Sequence, residues 1–304
     1  MPTCACVSAQ FEFARRRDVD TLALVARQDD NPLARIHAIW GLGQIVRAGA
    51  SLPLALTESL RSEDPEVRAQ AARVLGDVRA SATARVAAAA AQDTAARPRF
   101  FAAEALGRIR YAAAVQPIVQ MLADNDDRDV YLRHAGSYAL ASIGDVRLSW
   151  RLAQHSSRAV RLAAVVALRR LRDPGVARFL ADGDELVVTE AARAINDEGG
   201  IEAALPALAR LLDDTRFTGE PLLRRAISAN SRLGTTEAAD RLAAFAARTT
   251  SPRAMSTEAL AALSRVGDAV GIRPGGWLAA WRLRRRAVPW RQGEASDEAG
   301  PVKK

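Results

Sequence analysis

Histidine, cysteine and carboxylate side chains are the groups in this sequence that could bind a metal ion or transfer a proton. The histidines are His37, His134 and His155, and each is followed by alanine or serine. Two histidines four residues apart around a glutamate, the spacing of a helical zinc site, do not occur. A serine-nucleophile motif and a glycine-rich phosphate loop are also missing from the sequence. The histidines therefore predict no catalytic centre.

The two cysteines and the paired acids lead to the same conclusion. Cys4 and Cys6 are separated by one residue, which suits neither a disulfide framework nor a set of zinc ligands, so we expect free thiols in a frayed N-terminus. Three neighbouring acidic pairs, at 29–30, 126–127 and 213–214, fall in predicted loops and are expected to be solvated turn residues. We expect no enzymatic activity, no metal and no cofactor.

A repeat of about 30 residues organises the chain. In each copy a small residue stands four positions before a Leu or Ile anchor, and the anchors are 27 to 38 residues apart. The small residue and anchor of each copy are Ala38/Leu42, Ala71/Leu75, Ala102/Leu106, Gly136/Leu140, Ala164/Leu168, Ala191/Ile195, Ala229/Leu233 and Ala259/Leu263. This spacing is typical of stacked helix pairs, and small residues in the buried stripe allow close helix packing. The sequence predicts an all-α fold, an α-solenoid of about eight stacked helix pairs.

Proline and glycine mark the predicted ends of the second helix of each pair. Prolines at 32, 65, 98, 221 and 252 suit helix starts, and Asn31, Asp64 and Ser251 are N-cap candidates. Glycines are placed to end these helices in the left-handed conformation: Gly43, Gly76, Gly107, Gly144, Gly234 and Gly267. Between the second helices lie Ala- and Leu-rich segments long enough for first helices.

An arginine stands seven residues before the first five anchors, near each second helix's start. These are Arg35, Arg68, Arg99, Arg133 and Arg161. One interpretation is a row that binds phosphate; the other, which we favour, is that they bind loop carbonyls or acids such as Asp30, Asp64 and Asp129. The last three repeats lack this arginine and could stack differently.

The positions two and five before each anchor point away from the buried stripe. On second helices of such repeats this side usually lines the concave surface, and it mixes aromatic, basic and acidic residues here, a composition typical of protein contacts. The candidate partner-binding residues are His37, Trp40, Gln70, Arg73, Phe101, Glu104, Tyr138, Glu190 and Arg193. The alternative is that Trp40 and Phe101 merely pack under a neighbouring loop.

Several blocks carry a family resemblance. Residues 34–45, 131–136, 160–174, 189–197 and 220–230 carry the helix-pair pattern that resembles HEAT-like repeats of the phycobilisome-lyase type, over about residues 8–267. They look most like the HEAT region of exported bacterial proteins that also contain a dehydrogenase-like propeller and a c-type haem domain. Because propeller and haem motif are missing here, that redox activity is not carried over. The segment 8–14 resembles the end of a further, truncated repeat, so the chain could be a fragment.

The resemblance implies a protein-interaction scaffold and leaves two alternatives. Iron-dependent hydroxylases built from helix-pair repeats need His-Glu ligand pairs, which this sequence lacks. A bilin-lyase-like chaperone stays open as one alternative. The other is a nucleic-acid or anionic-surface binder that acts through the C-terminal segment.

That segment departs from the repeat. Residues 272–304 have a net charge of +5 and the remainder +3, so the repeat region itself is almost neutral. The domain prediction is a solenoid over 1–270 and a basic Trp/Arg helix with a disordered tail over 271–304. Its basic residues are Arg282, Arg284, Arg285, Arg286 and Arg291. They could form a surface anchor for lipid or nucleic acid, or belong to a helix that caps the last repeat.

Two further expectations concern state and location. We expect a monomer that binds a protein partner of unknown identity. No export signal and no run of 18 apolar residues is present, so the chain as written is expected in the cytoplasm, although the multidomain proteins it resembles are exported.

Overall fold

The computed structural model describes residues 2–197 and 200–269, and all regular secondary structure in these ranges is helical. The α-helices are α1 (Pro2–Arg16), α2 (Val19–Gln28), α3 (Pro32–Arg47), α4 (Leu54–Glu58), α5 (Pro65–Asp77), α6 (Ala84–Ala90), α7 (Ala96–Ile109), α8 (Val115–Asn125), α9 (Val130–Ile143), α10 (Val146–Arg151), α11 (Arg158–Leu171), α12 (Glu185–Asn196), α13 (Leu205–Ala209), α14 (Glu220–Leu233), α15 (Thr236–Ala247) and α16 (Arg253–Ala269). Short 3₁₀ helices extend several first helices, and one, Pro174–Ala181, replaces a first helix. Among the described helices, none is both long and apolar enough to span a membrane.

The chain forms two compact units, which divide after Leu208. In the first unit α1, α3, α5, α7, α9, α11 and α12 pack side by side in that order as a layer of second helices. The first helices α2, α4, α6, α8 and α10 each pack against the second helix that follows them. In the second unit α14 packs against α15 and α16. The predicted α-solenoid of about eight helix pairs is confirmed.

Helix α1 occupies the position of a second helix. It packs against α3, as α3 packs against α5, and it contains the segment 8–14 that resembles the end of a repeat. Cys6 lies in this helix as a half-buried free thiol. The prediction of a frayed N-terminus was therefore wrong for residues 2–16.

The column of small residues is buried throughout. Seven alanines of the column are at most 2% exposed. The eighth member, Gly136, shows why size matters, since a Cβ there would lie 2.7 Å from Cδ2 of Leu122 on α8. Helices approach closely at this column because nothing larger than a methyl group stands between them.

Four of the six glycines predicted to end helices lie within helices instead. Gly43, Gly76 and Gly107 lie inside α3, α5 and α7, and Gly267 lies within the bounds of α16. A Cβ on Gly76 would lie 2.7 Å from Cα of Ala105 on α7, so the missing side chain lets two second helices touch through their backbones. Of the six, only Gly144 and Gly234 have the expected positive φ among the described residues.

One left-handed residue follows each second helix from α1 to α11, and most of these residues are arginines. Gly49 and Gly144 occupy two of the positions, and the other four are Arg17, Arg79, Arg110 and Arg172, with φ between 50° and 58°. A residue with a Cβ adopts this conformation at a cost, and glycine avoids that cost. Four helix ends therefore carry an arginine where glycine would be less strained.

Side-chain caps begin several second helices. Asn31 accepts a hydrogen bond from the backbone N–H of Leu33, and Asp64 accepts from Glu66 and Val67, as predicted. Ser251 does not cap α16, because its hydroxyl donates to the carbonyl of Phe245.

Two arginines of the predicted column, Arg68 and Arg161, make several contacts with the protein and have a structural role. Arg68 donates to both carboxylate oxygens of Asp93, at 2.7 and 2.8 Å, and to the carbonyls of Ser62 and Glu63. It thereby joins the loop before α5 to the corresponding loop before α7. We call such an arginine with its partners a loop clamp.

A second loop clamp lies further along the same unit. Arg161 donates to Asp182 at 2.7 and 3.3 Å and to the carbonyls of His155 and Ser156. Both clamps are largely shielded from water, since the arginine side chains are 15% and 16% exposed. Arg35, in the same column, makes a single hydrogen bond, to the carbonyl of Ala26.

The prediction that Asp64 and Asp129 bind the arginines of this column was wrong. Asp64 and Asp129 instead cap α5 and α9 through their own backbone neighbours. Arg133 pairs with Asp127 at 3.1 Å, and the clamps use Asp93 and Asp182 from the next repeat. The interpretation as a phosphate-binding row is not supported, because the protein already binds four of the five guanidinium groups, those of Arg35, Arg68, Arg133 and Arg161. The Nε of Arg99 is buried without a hydrogen-bond partner.

Candidate interaction surface

The outward side of the second helices in the first unit forms the candidate site, and we call it the second-helix face. The nine predicted residues belong to helices of this face: α3, α5, α7, α9 and α12. Seven are exposed or half-buried: Trp40, Arg73, Phe101, Glu104, Tyr138, Glu190 and Arg193. The other two, His37 and Gln70, are buried and 8% and 4% exposed. They support the surface from below and do not form part of it.

His37 links α1 to α3 at one end of this face. Its Nδ1 donates to Oε1 of Gln10 over 2.7 Å, and its ring meets the Trp40 ring edge-on with 5.0 Å between centroids. Burial lowers the pKa of His37 below its usual value, because the charged imidazolium would lose hydration there. At neutral pH the imidazole is therefore an uncharged support for Trp40.

From Trp40 a polar chain crosses two more helices. The indole Nε1 donates to Oε1 of Gln70 on α5 at 3.0 Å, and Nε2 of Gln70 donates to Glu66 at 2.7 Å. Glu66 accepts two hydrogen bonds from Arg97 on α7, at 2.6 and 2.9 Å. Burial acts to raise the pKa of Glu66, but the bonds from Arg97 and Gln70 outweigh it and hold that pKa below its usual range. The carboxylate stays ionised.

Phe101 is held between two arginines on the same face. The guanidinium of Arg97 lies 5.4 Å from the centre of its ring, and that of Arg73 lies 5.8 Å away. Such cation–π contacts orient both the ring and the charges. Next to them Arg108 pairs with Asp77 and with Glu104, the latter at 3.4 Å. Side chains from α3, α5 and α7 are therefore fixed in one continuous surface.

A cleft opens within this surface. It has a volume of about 250 Å³ and lies among α1, α3 and α5, lined by Trp40, Gln44, Arg47, Arg73 and Asp77. The apolar body of the tryptophan and the surrounding charges would suit an apolar side chain flanked by polar groups.

The predicted residues on α9 and α12 do not join this network. Tyr138 contacts Arg170 through its ring face at 5.9 Å, and Glu190 pairs with Arg193 on the same helix at 3.8 Å. The sequence pattern grouped all nine residues, whereas the described contacts connect only those between α1 and α7.

The prediction missed another outward column, nine residues before the anchors. Nine steps of about 100° place these residues half a turn from the anchor, on the second-helix face. Glu66 and Arg97 belong to it, and so do Tyr131, 71% exposed, and Leu186, 46% exposed. Extending the same periodicity by one turn would have found them.

Other candidate groups show no assembled site. Among residues 2–197 and 200–269, no three His, Cys, Asp or Glu side chains are grouped to bind a metal ion. The paired acids are solvated turn residues only in part. Asp29 accepts from the N–H of Asn31 and Asp214 from that of Arg216. Asp127 instead pairs with Arg133, and Asp213 ends a 3₁₀ helix and pairs with Arg241. The basic residues from Arg282 to Arg291 lie outside the described residues.

The middle of the first unit matches a known sequence family. Residues 52–141 match the family model described as HEAT repeats. The sequence of this segment is therefore similar to HEAT repeats. The matched segment contains α4 to α8 and most of α9, and so includes Gln70, Arg73, Phe101 and Tyr138 of the candidate site. The narrower resemblance to the dehydrogenase and haem proteins is not established by this match.

Several solved structures are similar to this chain at low sequence identity. An engineered protein is 17% identical over 93% of this chain and 92% of its own, with a TM-score of 0.39. The complex of CpcE and CpcF of phycocyanin lyase from Nostoc sp. is 22% identical over 79% and 96%, with a TM-score of 0.33. A computationally designed armadillo repeat protein for peptide recognition is 20% identical over 69% and 98%, with a TM-score of 0.34. No curated protein matches the sequence significantly.

Proposed function

We propose that this protein is a non-enzymatic scaffold that binds a protein partner through the second-helix face of its first unit. The observation that supports this most is the network from Gln10 to Phe101, in which buried side chains of four helices hold Trp40, Arg97 and Phe101 in fixed positions at the surface. Pre-ordered aromatic and arginine side chains are the residues that contribute most to protein binding, because little conformational entropy is lost when they are covered.

The composition of the face supports a protein partner. Trp40, Phe101 and Tyr138 provide apolar contact area, while Glu104 and Arg73 beside them provide directional polar contacts. A surface of this kind resembles the mixed composition of protein interfaces more than an enzyme's enclosed pocket.

Variants on the two layers of helices test this proposal. Partners captured from a cell extract by the wild type are compared with those captured by the double variant Trp40→Ala/Tyr138→Ala. The control is Leu24→Ala/Leu54→Ala, which removes exposed side chains from first helices α2 and α4. We expect a specific partner to be lost with the first variant and kept with the second.

Because Trp40 also bonds Gln70, a milder variant separates binding from folding. Arg73→Ser/Tyr131→Ser changes two exposed side chains whose loss leaves the buried network in place. If both face variants melt as the wild type does and still capture the same partner, the proposal is wrong.

The sequence resemblance to the HEAT region of exported redox proteins supports the same scaffold role within a larger redox assembly. An antibody against this region would detect the native protein in its source cells. A species much heavier than 32.6 kDa with a haem spectrum is expected if the region serves as such an arm. A haem-free species of 32.6 kDa would contradict that role and leave the independent scaffold.

A further inference from the structure

A row of exposed arginines lies at the C-terminal ends of the second helices in the first unit. One arginine belongs to each of five consecutive repeats: Arg47, Arg79, Arg110, Arg147 and Arg172. We call this row the arginine edge. Arg47 ends α3, Arg110 and Arg172 directly follow α7 and α11, and Arg79 is two residues after the end of α5. Arg147 is at the start of α10, four residues after α9 ends.

These five guanidinium groups have no partner within the described part of the chain. Each is exposed, and none makes an ion pair or side-chain hydrogen bond to another described residue. Neighbouring carboxylates are engaged elsewhere: Asp77 pairs with Arg108, Asp18 caps α2, and Asp173 accepts from the indole of Trp150. Asp197 lines a pocket with Arg172, and Asp145 is two residues from Arg147, but none of the five guanidinium groups is ion-paired with a carboxylate of the described residues.

Backbone conformation adds an independent observation. Arg79, Arg110 and Arg172 have φ values of 50°, 57° and 52°, in the left-handed region that glycine occupies most easily. Gly49 and Gly144 occupy the same place after α3 and α9. The left-handed conformation does not itself require arginine, because glycine adopts it with less strain, so the repeated choice of arginine places positive charge at these helix ends.

The arginine edge is continuous with the cleft on the second-helix face. Arg47 lines that cleft together with Trp40 and Arg73. A chain bound in the cleft would therefore reach the edge without leaving the surface. Adjacent packed helices are about 8–10 Å apart, and an extended polypeptide covers that distance in about three residues.

We propose that the partner presents an acidic, extended polypeptide segment whose carboxylates bind the arginine edge, with an acidic residue at about every third position. This rests on the proposed function, since it names the chemistry of that partner. A polypeptide fits better than a nucleic acid, because its acidic residues can be confined to the positions of the arginines. The continuous charge of a phosphate backbone would also face Asp77, which lines the cleft beside Arg47.

Fluorescence anisotropy with a defined probe tests the proposal. The probe is a labelled peptide of about 15 residues with Asp at every third position between Gly and Ser. Its controls are the same peptide with Asn for Asp, and a single-stranded oligonucleotide of equal charge. We expect the Asp peptide alone to bind, with an affinity that falls as salt rises from about 50 to 500 mM.

Protein variants locate the binding. The edge variant Arg79→Gly/Arg110→Gly/Arg172→Gly removes three charges at positions where glycine relieves strain, so it is expected to fold. It should weaken binding of the Asp peptide by about tenfold or more. The control Arg27→Gln/Arg61→Gln/Arg158→Gln removes three charges from the opposite edge and should bind as the wild type does.

Equal peptide binding by the wild type and the edge variant would overturn the proposal, as would tight binding of the oligonucleotide without the peptide. Failure here is distinguishable from failure of the proposed function. The Trp40→Ala/Tyr138→Ala variant could lose the partner while the Asp peptide does not bind the wild type. In that case the second-helix face remains the interaction surface, and only the arginine edge is ruled out.

Discussion

The two edges of the first unit both carry many charges, yet they differ in how those charges are used. At the edge before the second helices, Arg68 and Arg161 join neighbouring loops to Asp93 and Asp182, and we call this the clamp edge. At the arginine edge the guanidinium groups are exposed and without partners among the described residues. The difference indicates that one edge holds the repeats together, while the other is available for a ligand.

The largest expected effect is at the clamp edge. Arg68→Ala removes four hydrogen bonds from a mostly buried guanidinium and leaves Asp93 without its ion partner. We expect a loss of about 2–4 kcal/mol in the free energy of unfolding, measured by urea denaturation. A double-mutant cycle with Asp93→Asn should show that most of the loss is the interaction energy between Arg68 and Asp93. A loss below about 0.5 kcal/mol would contradict the clamp.

A second prediction concerns the spacing between adjacent repeats. Gly76→Ala places a methyl group within 2.8 Å of Cβ and 2.7 Å of Cα of Ala105, so α5 and α7 must separate. Although alanine favours helix, we expect a net destabilisation of about 1–3 kcal/mol from the strained contact. The control is Gly183→Ala, where no atom lies within 4 Å of the new Cβ. Equal stability of both variants would show that the close approach is unimportant.

The clamp edge should also respond to acid. Arg68 holds the pKa of Asp93 below its usual value, so the pair contributes stability above the unfolded-state pKa of about 4. That contribution is lost as the pH falls through the lower folded-state pKa. Unfolding curves for the wild type and Arg68→Ala between pH 7 and 2 should therefore converge at low pH. A constant difference across this range would disprove the coupling.

The smallest effect on stability is expected at the arginine edge. Arg110→Gly relieves a left-handed conformation but gains flexibility in the unfolded chain and loses a charge that favours the helix end. These contributions nearly cancel, so the unfolding free energy should stay within about 1 kcal/mol of the wild type. Arg61→Gln, at the clamp edge but outside the clamps, serves as the charge-matched control. A loss comparable to that of Arg68→Ala would remove the distinction between the two edges.

The fold was largely predictable because the stacking of helix pairs requires small residues at regular intervals in the sequence. A residue that meets the backbone of the next helix must be small in every repeat, and so Ala38, Ala71 and Ala102 mark the buried stripe. The same periodicity placed Trp40 and Arg73 on the outward side. Both inferences depend only on the rotation of about 100° per residue along an α-helix, which does not depend on the neighbouring repeats.

Features that depend on a neighbouring repeat were harder to predict. The sequence around Gly76 predicts a helix end. Its role in a close contact between helices becomes visible only when the position of Ala105 on the next helix is known. The acid that binds Arg68 is 25 residues away in the sequence, whereas proximity in the sequence favours Asp64. The burial of His37 and Gln70 likewise depends on side chains from adjacent helices, and the free arginines are recognisable only once their neighbours are placed.

Site-specific photo-crosslinking tests the central claim, that the second-helix face binds the partner, most directly. A benzophenone amino acid would replace Arg73 or Tyr131 on that face, and Leu24 or Leu54 on the first helices. We predict one protein species crosslinked from the first pair of positions and not from the second. Crosslinks from Leu24 and Leu54 alone would contradict the claim and place the binding surface on the first helices.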